Sequence, residues 1–507
     1  MMWKYSKKDA CLVMREMGNL LLIVSVVLLI PLLTAYIYGE SDVYRPFIYS
    51  AVISALSGTV LRLMPTKGKI EKRHAISLVV LAWPIVSFPS ALPFYFINPG
   101  PENITYLDAY FEAISGWTTT GLTTFGGNAD GFLYSVNLWR HLLQFLGGLG
   151  IIVMGVVVLS PVKKWEDKME LMFASGNIHR ITPSLNNTIK LISGIYLALM
   201  LGGTFLYVIS GLSLFDALCH SMAGFSTGGF STRSDSIMAY GSASVTFVSL
   251  PIMIIGGTNF VLIYFFFSKK IKHYIRDIET KVFWSILSLF TILSCLFYIF
   301  TLNGGNILFS FEANNYIGVL DTVFMIVSAL TTTGWNSIPY ASWSAVSAPL
   351  VFVLIVVAMI VGANTSSTGG GLKAARVGIM FKSILWQIEN MVLPKTAIVK
   401  KRYRHLESKI IDDEELVTIF NYFFIYLIVL STSFVIFLLF GQELLPSLFE
   451  ITSAIGTVGL SSGVTSLNLN PLLKIVLIIN MWLGRIEVLP VFYLLKYMRG
   501  INKMFGR

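Results

Sequence analysis

Long apolar blocks are the feature that most restricts how this 507-residue chain can fold. There are about ten of them, and each is long enough for a helix to cross a hydrocarbon core, which takes about 20 residues. They lie at roughly 19–38, 46–64, 74–97, 134–160, 188–210, 244–268, 282–302, 347–385, 416–440 and 471–497. Charged residues make up 13% of the chain, about half of the ~25% that is usual in soluble domains. The sequence therefore predicts an all-α polytopic membrane protein with about ten transmembrane helices.

The positive charges follow the order of these blocks. Clusters of Lys and Arg precede the first block, follow the second, fourth, sixth and eighth, and close the chain. The alternate connections contain almost none, with Arg45 and Arg233 as the clear exceptions. Because Lys and Arg collect in cytoplasmic loops, this alternation predicts a multi-pass plasma-membrane protein with both termini in the cytoplasm. The net charge of +10 is then a topological signal, and we expect no nucleic-acid partner.

The sequence offers little support for catalysis. The three cysteines, Cys11, Cys219 and Cys295, are scattered and form neither a disulfide framework nor a CxxC metal motif. The chain contains no HExxH, GxSxG or Walker A sequence, and no acid–base pair stands out within the apolar blocks. We therefore expect neither enzyme activity nor a cofactor.

A short motif recurs four times, each time between two apolar blocks on the predicted outer side. The copies read AISGWTTTGLTT at 113–124, SMAGFSTGGFST at 221–232, IVSALTTTGWNS at 326–337 and ITSAIGTVGLSS at 451–462. Aligned without gaps, they share one Gly column and a Thr two positions before it. The repeat predicts a two-helix unit at 1–66 and four pore repeats at 67–162, 163–270, 271–394 and 395–507. Each pore repeat has room for a helix, a re-entrant pore helix and a second helix around one pore.

The Gly column has the chemistry of an ion-selectivity filter. A cation that leaves water needs replacement oxygens, which rings of backbone carbonyls supply, and Gly tolerates the conformations that aim those carbonyls inward. A pore helix entering from outside points its negative C-terminal end at the membrane centre, which favours a cation. The predicted ion-binding residues are Thr118, Thr119, Thr120, Gly121, Ser226, Thr227, Gly228, Gly229, Thr331, Thr332, Thr333, Gly334, Gly456, Thr457, Val458 and Gly459. We expect the transported ion to bind there and no other metal site.

A second column marks the start of each predicted pore helix. Asp108, Asp216 and Asp321 stand thirteen residues before the Gly, and Pro446 takes that place in the fourth copy. We predict that the Asp residues are N-caps and that Pro446 lies in the first helical turn. Direct attraction of cations by the Asp residues is the alternative.

The eighth block is interrupted in its middle by GANTSSTGGG at 362–371. A straight helix over the whole block would be ~58 Å long, too long for one crossing. The sequence predicts two half-helices joined by a polar loop below the filter, with a packing kink as the alternative. Arg485 lies inside the tenth block, where a charge costs about 2.5–3.5 kcal/mol on insertion scales, so it needs water or a partner. Carbonyls of 362–371 are candidate partners, and the role of Arg485 is either at a cavity beside that loop or purely structural.

Other polar residues within the apolar blocks have simpler interpretations. We expect Arg140, His141 and Gln144 to brace the neighbouring filter loop rather than contact the ion. His220 has no Cys or carboxylate arrangement that suggests a metal site. The small residues Gly147, Gly148, Gly150, Gly256 and Gly257 predict close helix packing or kinks.

Together these motifs resemble the Trk/Ktr/HKT superfamily of potassium transporters over nearly the whole chain. Thr457-Val458-Gly459 is similar to part of the potassium-channel filter TVGYG. LWRHLLQFLGGLGIIV at 138–153 resembles the second helix of the family's first unit, GANTSSTGGGLKAAR at 362–376 its gating loop, and MWLGRIEVLP at 481–490 its fourth-unit helix with an arginine. The two extra N-terminal helices are most similar to the bacterial and archaeal Trk branch, and Gly in all four columns resembles its potassium-selective members.

The resemblance implies channel-like potassium uptake with potassium as the transported substrate and no cofactor. It implies that a resting gate is formed by Asn364, Thr365, Ser366, Ser367, Thr368, Gly369, Gly370, Gly371 and Arg485. Symport with protons or sodium is the alternative, although symporter folds usually build a midplane site from broken-helix repeats, whereas these repeats are parallel with outer filters.

The resemblance also implies partners. It implies a homodimer in the inner membrane, with one pore per chain, and a soluble cytoplasmic nucleotide-binding regulatory subunit of the Trk type. The longest cytoplasmic stretch of this chain, about 386–415, is too short to be such a domain. The basic segments 269–281 and 395–404 are candidates for docking that subunit or, equally, for contact with anionic lipid of the bilayer.

Overall fold

Helices dominate the part of the chain that the computed structural model describes. This part comprises residues 7–65, 71–99, 103–126, 128–158, 185–302, 318–344, 348–394, 401–405 and 407–494. The predicted basic segments at 163–180, 395–400 and 496–507 lie outside the described residues. The helical class predicted from the sequence is confirmed for the described part.

The helices follow the predicted apolar blocks. In the first half they are α1 (Lys7–Val27), α2 (Leu29–Tyr38), α3 (Tyr44–Arg62), α4 (Lys72–Ser90), α5 (Leu92–Ile97), α6 (Tyr106–Trp117), α7 (Tyr134–Val158), α8 (Leu185–Ile209), α9 (Leu214–Phe225), α10 (Ala243–Gly256) and α11 (Phe260–Phe267). In the second half they are α12 (Ile271–Arg276), α13 (Ile278–Leu302), α14 (Val319–Leu330), α15 (Tyr340–Trp343), α16 (Pro349–Val361), α17 (Ala374–Val392), α18 (Asp413–Leu439), α19 (Leu444–Gly456) and α20 (Pro471–Arg485). Short 3-10 turns lie at Ser41–Val43, Ala129–Gly131 and Ser236–Tyr240.

Several of these helices are able to span a membrane by length and apolar composition. Within the described residues five segments qualify: Lys8–Tyr38, Arg73–Ile97, Ile189–Ile209, Ile278–Phe297 and Asp413–Leu439. The bent pair α10 and α11 makes a sixth. Many large apolar side chains on these helices are exposed, among them Val26, Phe205 and Ile428. An apolar surface of this extent belongs against lipid.

Besides the one-residue interruptions at Leu28 and Ala91, three of the predicted blocks are not continuous helices. The sixth block breaks between α10 and α11, which meet at an angle of 106°. The eighth is divided by residues 362–373 into α16 and α17, as its triple Gly predicts. The tenth ends its helix at Arg485, because Glu487 and Val488 adopt positive φ values of 62° and 50°. A single helix over 471–497 was therefore the wrong prediction.

The N-terminal pair packs α1 directly against α3. Gly18 and Gly58 allow this approach, because a Cβ on Gly18 would lie 2.6 Å from the Gly58 carbonyl oxygen. Ser54 Oγ on α3 donates to the Leu21 carbonyl at 2.8 Å. The unit is thus held by backbone-to-backbone contact as well as by apolar packing.

One element departs from the all-α prediction. Strands β1 (Arg402–His405) and β2 (Glu407–Ile410) form an antiparallel hairpin in which Arg402 faces Ile410. The hairpin leads into Ile411, which joins an apolar cluster with residues of α13, α17 and α18. This places the hairpin beside the first turn of α13.

Candidate functional site

Four short helices, α6, α9, α14 and α19, lead directly into the four Gly motifs. They have 12 or 13 residues, too few to cross a bilayer, and nearly all of their side chains are buried. Each ends in the same way, with the Thr of the shared column in the left-handed conformation. The φ values are 51° at Thr119, 50° at Thr227, 58° at Thr332 and 49° at Thr457. A β-branched residue in this conformation is rare, so its fourfold repetition marks a constrained site.

The hydrogen bonds at these helix ends repeat as well. In every copy, the amide of the column Thr bonds back to a carbonyl three residues earlier, at 3.0–3.2 Å. The next amide bonds to a carbonyl five residues earlier, at 2.8–2.9 Å. This is the Schellman pattern of a helix C-terminus, in which Gly is the usual left-handed residue. The Thr hydroxyls at these positions are therefore retained at a conformational cost.

The four column glycines meet in a closed ring. All have positive φ, with values of 88° at Gly121, 77° at Gly229, 83° at Gly334 and 94° at Gly459. A Cβ on each would overlap a carbonyl oxygen of the next copy: Gly121 that of Gly228, Gly229 that of Thr333, Gly334 that of Val458 and Gly459 that of Thr120. The fourth copy thus contacts the first, and the ring closes. Only Gly fits at these positions, on grounds of both conformation and space.

Most side chains of the predicted filter residues are directed to their own support. Thr118 Oγ1 donates to the Ile114 carbonyl at 2.7 Å and lies 2.8 Å from Thr120 Oγ1. The third copy repeats the pair, with 2.8 Å between the Thr331 and Thr333 hydroxyls. The carbonyl oxygens of Thr120, Gly228, Thr333 and Val458 lie where successive copies meet. Neutral oxygens from four copies of one segment are thus close together, which is the chemistry that a cation filter uses.

The interrupted segment 362–373 lies against the lower end of this ring and contacts all four copies. Thr119 Oγ1 donates to the Thr368 carbonyl at 3.5 Å, and Thr227 Oγ1 to Thr368 Oγ1 at 3.2 Å. The Gly370 amide donates to Thr332 Oγ1 at 2.8 Å. In the fourth copy, a Cβ on Gly370 would overlap Thr457 Oγ1. The left-handed Thr residues therefore form the surface on which the loop rests.

Arg485 fastens the loop from the opposite side. It is buried, and its guanidinium donates to the Thr368 carbonyl at 2.5 Å and to the Gly147 carbonyl at 2.9 Å. The carbonyl partner expected from the sequence is thus present. Glu487, two residues further on, pairs with Arg376 instead. Lys373 donates to the Gly369 carbonyl, so a second cation also holds the loop.

A buried carboxylate anchors the start of the loop, and sequence reasoning missed it. Glu279, in the first turn of α13, accepts hydrogen bonds from the Thr365 amide at 2.7 Å and from the Thr365 hydroxyl. It also accepts from Asn259, which caps α11, at 3.2 Å. Two acidic residues at the start of an apolar block were the available signal.

A possible metal-binding cluster lies beside this anchor. Among the residues that the structure describes, it is the one group of at least three His, Cys, Asp or Glu side chains close enough together to hold a metal ion. It consists of Asp277, Glu279 and His405, whose ligand atoms lie within 4.8 Å of one another. His405 Nδ1 is 3.3 Å from Asp277 Oδ1. The contact also joins the β hairpin to the first turn of α13, an arrangement that the sequence did not predict.

The predicted bracing residues reach a neighbouring copy. Gln144 donates to the Gly228 carbonyl at 2.5 Å and accepts from the Phe230 amide at 3.1 Å, so α7 of the first repeat supports the second filter. Arg140 pairs with Glu112 at 2.8 Å and donates to the Ser231 carbonyl at 3.1 Å. His141 bonds its own helix, at the Asn137 carbonyl. Gln144 and Arg140 therefore brace the second copy from the first, while Arg140 and His141 also bond within the first.

The sequence predicted that the Asp residues of the second column are N-caps, and the structure shows that they are not. Thr105 and Ser213 are the N-caps of α6 and α9, and Asp108 and Asp216 lie three residues inside, where their amides bond the capping hydroxyls. In the third copy Gly318 occupies the cap position. The prediction was off by three residues, because Asp serves equally well in the first turn of a capping box. Pro446 does lie in the first turn of α19.

The outer rim of the ring contains further charged pairs. Buried Lys474 on α20 contacts Asp108 on α6 at 2.5 Å, which links the fourth repeat to the first. Half-exposed Arg233 contacts Asp216 at 3.3 Å and Asp130 at 3.6 Å. Hydrogen bonding from Ser234, with the Arg233 guanidinium nearby, lowers the pKa of Asp130. The ion pairs at the rim thus range from a buried pair to pairs that are half-exposed.

Comparison with known proteins identifies relatives along almost the whole chain. The cation transport protein family TrkH matches residues 45–499. The Trk system potassium uptake protein TrkG of Escherichia coli is 30% identical over 94% of this chain and 96% of its own length. An uncharacterized cation transporter of Methanocaldococcus jannaschii is 29% identical over 97% of this chain and 96% of its own length. The crystal structure of the potassium transporter TrkH from Vibrio parahaemolyticus superposes with a TM-score of 0.81 at 26% identity, covering 95% of this chain and 98% of that one.

Proposed function

Because this chain belongs to the TrkH family of cation transport proteins, we propose that it takes up potassium through the ring of four Gly motifs. The family consists of multi-pass membrane transporters and not of enzymes, and it moves its ion without a cofactor. The Escherichia coli relatives are potassium uptake proteins and the Vibrio relative is a potassium transporter, which makes potassium the expected ion. A membrane potential that is negative inside would drive uptake and would contribute a free energy of about 2.3 kcal/mol per charge per 100 mV.

The observation that carries this proposal is the closed contact of the four column glycines. Each packs on a carbonyl oxygen of the next copy, so the position of every carbonyl depends on its neighbour. A filter needs this property, because it must replace the hydration shell of one ion and not collapse on a smaller one. The sixteen predicted filter residues, from Thr118 to Gly459, form this ring and the helix ends that support it.

The repeat architecture is part of the same proposal. Four units, at 67–162, 163–270, 271–394 and 395–507, would surround one pore, with 1–66 outside it and about ten crossings in all. Each of the four short helices α6, α9, α14 and α19 points its C-terminus at the ring, which places negative helix ends around a cation. Both termini would lie in the cytoplasm.

We further propose that the segment 364–371, with Arg485, is the gate. Its contacts with all four left-handed Thr residues support a position across that side of the ring. Buried Arg485 and Glu279 hold it in that position from two sides. Opening would require these bonds to be exchanged for others. A partner acting on the cytoplasmic side is a suitable source of that free energy.

Partners follow from the Trk system to which the named relatives belong. A regulatory subunit that binds nucleotide, and a homodimer with one pore per chain, remain proposals for this protein. The segment 269–281 is described and exposes Lys269, Lys270 and Arg276, so it can contact either such a subunit or anionic lipid. Cross-linking from a cysteine at Lys270, with and without the subunit, distinguishes the two.

Ion flux into proteoliposomes tests the proposed function. Purified protein should admit potassium more readily than sodium when the potential is negative inside. An imposed proton gradient, without a potential, should leave this flux unchanged if the protein is a channel. Flux that requires the gradient would favour symport instead, and equal potassium and sodium flux would contradict the filter.

A further inference from the structure

A third column of pore-helix residues lies behind the ring. Nine residues before the column Gly stand Glu112, His220, Met325 and Glu450, one in each copy. All four side chains are fully buried. Burying a polar group is costly unless it is hydrogen bonded, and an ionisable group still more so. The bonds that these residues make therefore indicate why three of the four copies keep a polar side chain here.

Each polar member bonds the residue that stands two positions after its own column Gly. The distances are 2.8 Å from Thr123 Oγ1 to Glu112, 3.0 Å from His220 Nε2 to Ser231 Oγ and 2.9 Å from Ser461 Oγ to Glu450. The same pair of positions is thus joined in three copies, twice by a carboxylate and once by an imidazole. In each case the strand that leaves the ring is tied back to the pore helix that entered it.

The remaining oxygens and nitrogens of these groups are also bonded. Glu112 pairs with Arg140, and His220 Nδ1 lies 2.8 Å from the Asp216 carbonyl oxygen. Glu450 accepts from the Ser462 amide and hydroxyl, each at 2.9 Å, and from Thr465. The side chains are held in one orientation, so they act on the strand and not directly on an ion.

The third copy has no such bond and is held differently. Met325 offers no hydrogen-bonding group of useful strength, and the opposite residue is Asn336, whose Oδ1 has no partner among the described residues. Here Ser328 Oγ donates to the Trp335 carbonyl at 2.8 Å, and Trp335 Nε1 donates to the Phe230 carbonyl at 3.1 Å. The third strand is therefore fixed through the second copy.

We propose that Glu112, His220 and Glu450 are positioning residues that set the ion selectivity of the ring. Only one residue separates each column Gly from the bonded position, so a fixed hydroxyl restricts the Gly carbonyl on the other side of it. A binding site keeps its geometry only when hydrogen bonds from the residues behind it lock its orientation. The inference rests on the proposed function, because it assigns selectivity to a ring that conducts potassium.

Neighbouring threonines provide a matched test. Thr123 Oγ1 bonds Glu112, whereas the buried Thr124 Oγ1 has no partner in the described part of the chain. Thr123→Val keeps the shape and removes this bond, together with the 3.2 Å bond that Thr123 Oγ1 accepts from the Phe125 amide. Thr124→Val makes the same change of side chain next to it. We expect Thr123→Val to lower the ratio of potassium to sodium flux at least about fivefold, the effect of losing one net hydrogen bond. Thr124→Val should stay within about twofold of the unchanged protein by the same reasoning.

The fourth copy gives an independent arm. Glu450→Gln keeps an acceptor for Ser461 and should retain most of the selectivity, whereas Ser461→Ala should lower the flux ratio as Thr123→Val does. Met325→Leu, at the same column position but without a bond to lose, should leave the ratio unchanged. All variants are compared at equal amounts of monodisperse protein, so that a folding defect is recognised as loss of protein and not of selectivity.

The outcomes separate this inference from the function on which it rests. If the unchanged protein admits no potassium, the proposed function fails. If it conducts selectively and both Thr123→Val and Ser461→Ala keep its flux ratio, the positioning role is overturned. An equal fall in Thr123→Val and Thr124→Val would also overturn it, because the bond would then not be the cause.

Discussion

Gly121 illustrates how little freedom a single residue has in the ring. Its φ of 88° and its contact with the Gly228 carbonyl both exclude a side chain. Gly121→Ser should therefore displace one quarter of the ring and lower the ratio of potassium to sodium flux. Uptake of potassium and of sodium into proteoliposomes measures this flux ratio.

Gly131→Ser is the matched control, since a Cβ at Gly131 meets no atom within 4 Å. It should conduct as the unchanged protein does. If Gly121→Ser discriminates between potassium and sodium as well as this control does, the column glycines are not the filter.

Arg485 is the residue whose loss should free the loop most directly. Its two bonds, to Thr368 on the loop and Gly147 on α7, are both to carbonyl oxygens, and Gln has neither the charge nor the length of Arg to replace them. Arg485→Gln should raise potassium flux in the absence of any activating partner. The measurement is resting flux in proteoliposomes, with the half-exposed Arg233→Gln as the charge-matched control. Resting flux equal to that of the control would assign Arg485 a structural role only.

Among the larger elements, the interrupted eighth block has a separable function. Removing several residues of 364–370 should raise resting flux, because the loop would no longer reach all four left-handed Thr residues. The ring itself would be intact, so the ratio of potassium to sodium flux should not change. The two readouts together identify a gate. Unaltered or lower flux in folded protein, or a loss of selectivity with the gain in flux, would count against it.

Prediction from sequence succeeded where residues repeat and failed where contacts are distant in the chain. The Gly and Thr columns identified the segments that meet in the ring, because the same local chemistry is needed four times. The triple Gly located the break between α16 and α17. Glu279 and His405 were missed, since neither two acidic residues at the start of an apolar block nor a His in a basic segment indicates which distant residues they contact. The hairpin β1–β2 is likewise too short for a period-2 pattern to be recognised.

At the scale of the whole molecule, the ring is closed by contacts between its first and last repeats. Gly459 packs on the Thr120 carbonyl at the centre, and Trp482 Nε1 donates to the Val80 carbonyl at 2.9 Å. The Asp108–Lys474 pair joins the same two repeats at the outer rim, with Lys474 Nζ also 2.7 Å from the Leu467 carbonyl oxygen. The first and last pore repeats thus meet along one interface, which we call the seam. A defect there should affect every copy.

Lys474→Met tests this seam. It leaves Asp108 buried without its cation, which should destabilise the protein by about 3–5 kcal/mol, whereas the exposed counterpart Arg233→Met should cost no more than about 1 kcal/mol. Adding Asp108→Asn to Lys474→Met should recover much of the loss, because the uncompensated charge is then removed. Thermal unfolding of the four proteins in detergent measures these differences. Equal midpoints for Lys474→Met and Arg233→Met would mean that the Asp108–Lys474 pair does not hold the first and last repeats together.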